Sequence, residues 1–405
     1  MPMLTRMALA LSLLAHAWLR SEPAQIVVPA GKVERTDALV TVTMPTHKSK
    51  VFGLRGPDGA VLAAQADVDG LVTFLVPKVP ANQPVTFTVA PAPSSTPEVI
   101  AAKQGRKLRF THAGKTILEY QMEPGDLPRA GIAPEYRRGG YLHPVFTPSG
   151  RVVTDDFPAK HTHHHGIWFP WTKTEFEGHH PDFWNMGAGT GRVEFVALQD
   201  TWSGPVHAGF RATHRFVDLS IKPPKPVLEE TWSLTVYARL GGAKQRWVFD
   251  LVSTQRCAGS KPLRLPQYHY GGLGFRGHAS WDTDTNNPTR FLTSAGETNR
   301  VVGHATRARW CHIGGAVEGT LAGVAVLCHP TNFRAPQPMR LHPSEPFFNF
   351  APQQFADMEI APGSVYVSRY RFVIADGAPD AAELERMWDA YSRPPVAELR
   401  GQPSP

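Results

Sequence analysis

Thr231-Trp232-Ser233-Leu234-Thr235-Val236 alternates cleanly, and Arg246-Trp247-Val248-Phe249-Asp250-Leu251 follows it after the turn signal Gly241-Gly242. Successive side chains of a strand point to opposite faces, so Trp232, Leu234 and Val236 share one side. Similar runs occur at 192–198, 210–219, 321–327 and 364–374. Long antiparallel strands of this kind bury one face each, which predicts a large two-sheet sandwich over residues 98–395. Shorter alternating runs precede it: Ala38–Met44, Leu71–Val76 and Val85–Val89, with the turn Gly56-Pro57-Asp58-Gly59 between the first two. They predict a small N-terminal β-sandwich of immunoglobulin-like type over residues 25–92, without the Cys and Trp hallmarks. Pro91-Ala92-Pro93-Ser94-Ser95-Thr96-Pro97 reads as the linker. One helix is predicted, Ala381–Tyr391, with Asp380 as N-cap and Leu384, Met387, Trp388 and Tyr391 on its packed stripe. The fold class is therefore all-β with one C-terminal helix.

Composition agrees. With 38 prolines and 35 glycines in 405 residues, the chain is rich in turns and poor in long helix-forming stretches. Its net charge of +7 comes from scattered Lys and Arg, with no stripe or run, which argues against a nucleic-acid partner. Residues 1–24 read as a secretory signal: Arg6 is followed by the apolar core Met7–Ala15, with small-residue cleavage sites ending at Ala17 or Ala24. That core falls short of the roughly 20 apolar residues needed to span a bilayer, and no later segment approaches that length. The expectation is a periplasmic or secreted product with no membrane span. Of the three cysteines, Cys311 and Cys328 could pair across neighbouring strands, or all three could be small buried hydrophobes.

The chemistry-bearing stretch is His161-Thr162-His163-His164-His165-Gly166-Ile167-Trp168-Phe169-Pro170-Trp171. Asp155-Asp156-Phe157-Pro158 lies just upstream and His179-His180 downstream. In an extended strand His161, His163 and His165 would share one face, a surface suited to proton transfer or to a metal. Three further clusters carry similar groups: Gln267–Gly277, with Tyr268, His269, Tyr270 and Arg276; Cys328–Arg334, with His329 and Asn332; and Arg340-Leu341-His342-Pro343. The glycines of the first are no dinucleotide fingerprint, since no βαβ unit surrounds them. His, Arg, Tyr, Trp and Asn at strand ends suit a groove for a sugar or another small polar substrate.

Gly140-Tyr141-Leu142-His143-Pro144-Val145, Thr154-Asp155-Asp156-Phe157-Pro158 and His161–Trp168 together resemble the signature of the secreted bacterial family called PmoA-like. The resemblance covers about residues 105–375; a histidine, His165, stands before Gly166 where many relatives have arginine. The family's inherited methane-oxygenase label implies a membrane copper enzyme, which a chain without spanning helices does not match. The resemblance implies instead a periplasmic β-rich protein linked to carbohydrate catabolism. The strand pattern is also similar to the galactose-mutarotase-like supersandwich, a fold of epimerases, polysaccharide lyases and glycan-binding domains.

Three function classes stay open. In a carbohydrate-active hydrolase, lyase or epimerase, His163 or His165 is the base and Asp155 or Asp156 orients it. His329, His269 or His342 then serves as acid or partner, and Arg340 or Arg276 holds a carboxylate or oxyanion. In a metal-dependent version His161, His163 and His165 are ligands; no cofactor is required by the pattern, and a divalent metal is the one it could take. In a non-catalytic glycan binder, Trp168, Trp171 and Trp184 are stacking platforms. His143, His179, Tyr268, Tyr270 and Asn332 complete the expected substrate contacts.

Overall fold

A computed structural model describes residues 24–44, 50–67, 70–238, 240, 245–282 and 287–401. The expected leader, Ala24 excepted, lies outside the described residues.

The N-terminal strands form one seven-stranded antiparallel sheet, in the order Arg35–Thr43, Leu71–Val79, Val61–Ala66, Val51–Arg55, Val85–Ala90, Gln25–Val28 and Glu398–Arg400. Its core is Ile26, Val28, Val40, Val42, Phe52, Leu54 and Phe74. The two edges return towards each other, since Ala397 N–H donates to the Thr41 carbonyl at 2.8 Å. A strand from far along the chain thus completes this first unit.

The larger unit is two eight-stranded sheets packed face to face. The long-strand sheet runs Gly191–Trp202, His207–Asp218, Lys225–Tyr237, Trp247–Cys257, Tyr366–Asp376, Thr320–Cys328, Trp310–Val317, Arg290–Thr293. The second, the site sheet, runs Met339–Leu341, Phe347–Phe350, Leu273–Arg276, Ile167–Trp168, Tyr141–Val145, Lys115–Gln121, Lys107–His112, Val99–Gln104. Alternation sends Trp232, Leu234 and Val236 inward together, with Leu234 opposite Leu251 on the next strand. Across the interior Tyr120 of the site sheet stacks on Phe210 of the long-strand sheet at 4.2 Å. A polar column crosses the same interior: Tyr120 Oη to His214 Nε2 (2.6 Å), His214 Nδ1 to Glu230 (3.0 Å), Gln255 Nε2 donating to Glu230 (2.9 Å) and Trp171 Nε1 donating to Gln255 (2.8 Å). Each of these contacts gives a buried polar atom its partner, without which it would cost roughly 1–3 kcal/mol.

The helix Ala381–Ser392 covers the outer side of the long-strand sheet, packing Leu384 and Tyr391 on Val248, Trp310, Leu327 and Val373. Asp380 caps it, accepting from Glu383 N–H at 3.1 Å. Cys257, Cys311 and Cys328 are free thiols; the register sets Cys311 opposite Val326, so Cys328 is not its neighbour. Among the described residues no helix is long and apolar enough to cross a membrane.

Candidate functional site

The outer side of the site sheet carries the candidate site, and period two puts it there. Leu142, Ile167, Leu273, Phe275, Met339, Leu341, Phe348 and Phe350 point into the core. Their neighbours Tyr141, His143, Trp168, Arg276, Arg340, His342 and Phe347 therefore face outward. Tyr141, Trp168 and Phe347, with Trp184 from a loop, make a separate apolar cluster on that side. Gly274 lets the two tryptophans close, because a Cβ there would lie 3.0 Å from Trp168 and 3.1 Å from Trp184.

The histidine run sits above this cluster as a turn, which corrects the expected strand. His164 N–H donates to the His161 carbonyl at 2.9 Å, and Gly166 takes φ +26° where a Cβ would meet the Leu142 carbonyl. The rings consequently split two ways. His161, His163 and His164 gather, with centroids 4.6–5.7 Å apart, and His342 lies 5.3 Å from His161. His164 stacks on Phe347 at 4.8 Å. His165 turns away into the sheet, between Tyr141 (4.8 Å) and Phe157 (4.6 Å), with Nδ1 2.7 Å from Asp156 Oδ1. Tyr141 donates to the other Asp156 oxygen at 2.9 Å. The expected His161, His163 and His165 ligand set is therefore not assembled. Among the described residues no group of three or more His, Cys, Asp or Glu side chains is placed to hold a metal ion.

Arg276 lies beneath the turn, buried, and is surrounded by carboxylates: Glu345 at 2.8 Å, Asp282 at 3.2 Å and Asp155 at 3.8 Å. Its two terminal nitrogens are taken by Glu345 and Asp282, while Nε has no hydrogen-bond partner, so the fork that would grip a substrate carboxylate is already occupied, which corrects the expectation that it receives substrate. Glu345 Oε2 is also 3.8 Å from His161 Nδ1. Burial pushes the Asp282 carboxyl up to about 6; Arg276 opposes this and neighbouring Glu345 adds to it. Burial likewise raises Asp155. Burial pushes Asp156 up, but His165, His143 and the Tyr141 hydroxyl together outweigh it and hold the carboxyl below its usual range.

The imidazoles are held neutral. Burial, with the other histidines and Arg276, pushes His163 down to about 3. Burial, Arg340 and His161 push His342 down to about 4. His161, His164 and His165 are lowered for the same first reason. At neutral pH the cluster can accept and donate hydrogen bonds but carries no charge.

The rim is aromatic and basic. Tyr268, His269 and Tyr270 pack together at 4.4–4.9 Å, and Tyr270 lies 5.0 Å from Trp184, which in turn contacts His164. Arg340 Nη1 is 3.5 Å from His304 Nε2, and its charge depresses both His342 and His269. A cavity of about 370 Å³ opens beside Tyr268, lined by Lys173, His180, Asp182 and Asn185. A second, of about 460 Å³, opens on the other side of the turn beside His143 and Asp156.

Other expected residues lie elsewhere or do other work. Trp168, Trp171 and Trp184 are buried, so none is an open stacking platform; Tyr268 and Tyr270 are the accessible rings. His179 Nδ1 pairs with Asp218 at 2.9 Å on a separate surface. His329 packs against Tyr391 of the helix at 4.9 Å, and Asn332 ties the Arg369 backbone from both sides at 2.8 Å. Both lie on the loop that follows the strand Thr320–Cys328 of the long-strand sheet. The residues missed from sequence are Asp282 and Glu345, which no local motif marks, and Tyr136, whose ring lies 6.5 Å from His163.

Residues 107–389 match the family described as a family of unknown function, DUF6807, and the chain belongs to it. No curated protein matches the chain. A solved structure of a protein in glycosyl hydrolase family 38 from Enterococcus faecalis is similar to it with a TM-score of 0.37 and 8% identity. That alignment covers 94% of this chain and 47% of the other, so the chain spans about half that protein's length.

Proposed function

We propose that this DUF6807 member is an exported carbohydrate-active protein that handles its sugar on the outer side of the site sheet. The observation that carries the reading is the meeting of His161, His163 and His342, from segments far apart in sequence, beside Arg340 and the accessible rings of Tyr268 and Tyr270. Flat rings suit the apolar face of a pyranose, and neutral imidazoles with a guanidinium suit its hydroxyls. As a hydrolase, lyase or epimerase it uses His163 as base; the proton taken there passes through His161, whose ring lies between them, to His342, which returns it. Arg340 supports the charge that develops on oxygen. His165, oriented by Asp156, is a positioning residue that fixes the turn from within. The resemblance to the PmoA-like family supports the link to sugar catabolism and an extracytoplasmic location.

The depressed histidines favour one alternative, a glycan-binding protein without turnover, since a group titrating near 3 or 4 is a weak proton acceptor at neutral pH. The discriminating experiment incubates the full chain with a panel of glycosides, polysaccharides and free sugars, followed by NMR. Turnover that falls by about 10²–10⁴-fold in His163→Ala and His342→Ala, with the fold intact, supports the enzyme. Saturable binding with no turnover in the parent replaces it with the binder.

A further inference from the structure

The 460 Å³ cavity beside the histidine turn holds a feature that the site described above does not use. Arg138 lines it, is 3% exposed, and has its Nη1 buried with no hydrogen-bond partner. Its Nε donates to the neighbouring Gly139 carbonyl at 3.1 Å, so the guanidinium is anchored by one edge. A buried guanidinium nitrogen without an acceptor is costly unless a ligand completes it. Arg137, Lys107 and His143 line the same cavity, and Arg137 is exposed at its mouth.

The carboxylates nearby direct their oxygens at other partners. Asp156 directs its two oxygens at His165 Nδ1 and the Tyr141 hydroxyl. Glu119 is shared between Lys107 at 3.1 Å and Arg109 at 2.6 Å. Arg138, Arg137, Lys107 and Arg109 stand against Glu119, Asp156, exposed Asp126 and Glu230, whose charge acts on Arg138 from the interior, so four cations meet four carboxylates. His143 adds an imidazole that burial keeps neutral. Thr154 Oγ1 accepts Val145 N–H at 3.0 Å and lies 2.9 Å from His143 Nδ1, which holds the ring against the cavity wall. Planar guanidinium donors in a site whose own charges already balance suit a monoanion better than a doubly charged phosphate.

We propose that the cavity formed by Arg138, Arg137, Lys107 and His143 is a carboxylate subsite, and that the sugar handled on this face is a uronate. The inference rests on the carbohydrate reading for the sugar, but not for the carboxylate. Titration calorimetry of the full chain with a hexuronate, the corresponding neutral hexose, acetate and inorganic phosphate tests both parts. The hexuronate should bind at least about tenfold tighter than the hexose (1.4 kcal/mol per tenfold). Arg137→Ala, at an exposed position, should erase that preference while leaving hexose affinity unchanged. Arg138→Gln should likewise erase the preference and Arg138→Lys should restore part of it, with circular dichroism confirming the fold of each. Equal affinity for hexuronate and hexose, a preference that survives Arg137→Ala, or phosphate binding tighter than the hexuronate overturns the carboxylate subsite and leaves the sugar reading standing. Acetate binding that Arg138→Gln abolishes, with no sugar bound, keeps the subsite and overturns the sugar reading. Binding of none of the four overturns both.

Discussion

His165 Nδ1 and Asp156 Oδ1 stand 2.7 Å apart in the wall of the site sheet, while His163, two residues earlier, has its ring among other imidazoles. The two histidines should therefore respond differently to replacement by alanine. His165→Ala strands a buried carboxylate and opens a gap beside Tyr141 and Phe157, costing about 1–3 kcal/mol. His163→Ala, at the partly open end of the turn, should cost well under half of that while removing function. Urea denaturation of both variants, set beside their sugar binding or turnover, checks the contrast; equal stability losses would show that His163 also holds the sheet together.

Acid should weaken the fold before any carboxylate pair breaks. Burial pushes His207 and His312 down to about 4 in the folded chain from an ordinary 6.5. Between those values the unfolded chain binds protons that the folded chain refuses, so stability is full above pH 6.5 and falls as the pH drops towards 4. Each of these two buried groups is worth on the order of 3 kcal/mol across that window. Melting temperature measured from pH 7.5 to pH 4.5 should decline steadily, and His312→Gln should flatten part of the slope. A curve that stays level to pH 5 contradicts the burial argument.

Arg276→Gln should be among the most damaging single changes on this face. It leaves Glu345, Asp282 and Asp155 facing one another with the shared cation gone, a loss of about 3–5 kcal/mol. Because protonation relieves that repulsion, the gap between variant and parent should narrow between pH 7 and pH 5. Chemical denaturation at the two pH values reads this directly.

Export is tested on the N-terminus itself. Mature protein should begin at Trp18 or Gln25, following cleavage after Ala17 or Ala24, and should appear in the periplasmic or secreted fraction. N-terminal sequencing that finds Met1 on cytosolic protein would falsify the expectation.

The long strands were legible because each buries one face and therefore alternates: the run 231–236 lies within the observed strand Lys225–Tyr237. The helix was legible from Asp380 and its apolar spacing. The same rule, applied to Tyr141–His143, Leu273–Arg276 and Met339–His342, places the outward-facing polar groups. The histidine run defeated it because the spacing of like residues says nothing about backbone: Pro158 and Gly166 bracket a turn, and Phe157 takes φ +50°. The tryptophans were misjudged because aromatic residues that stack on a ligand and those that build its floor have the same composition. Asp282 and Glu345 were invisible because a shared buried arginine, not a motif, brings them together.

The strand Glu398–Arg400, paired to Gln25–Val28, bears on how the chain is made. Ribosomes deliver the N-terminal sheet first, and it waits with one edge bare until both sheets of the larger unit have emerged. An unpaired edge is an invitation to another chain, so nascent copies crowded on one message face their greatest hazard of mutual pairing during that interval. Pairing of Glu398–Arg400, three residues long, is the latch that ends the exposure.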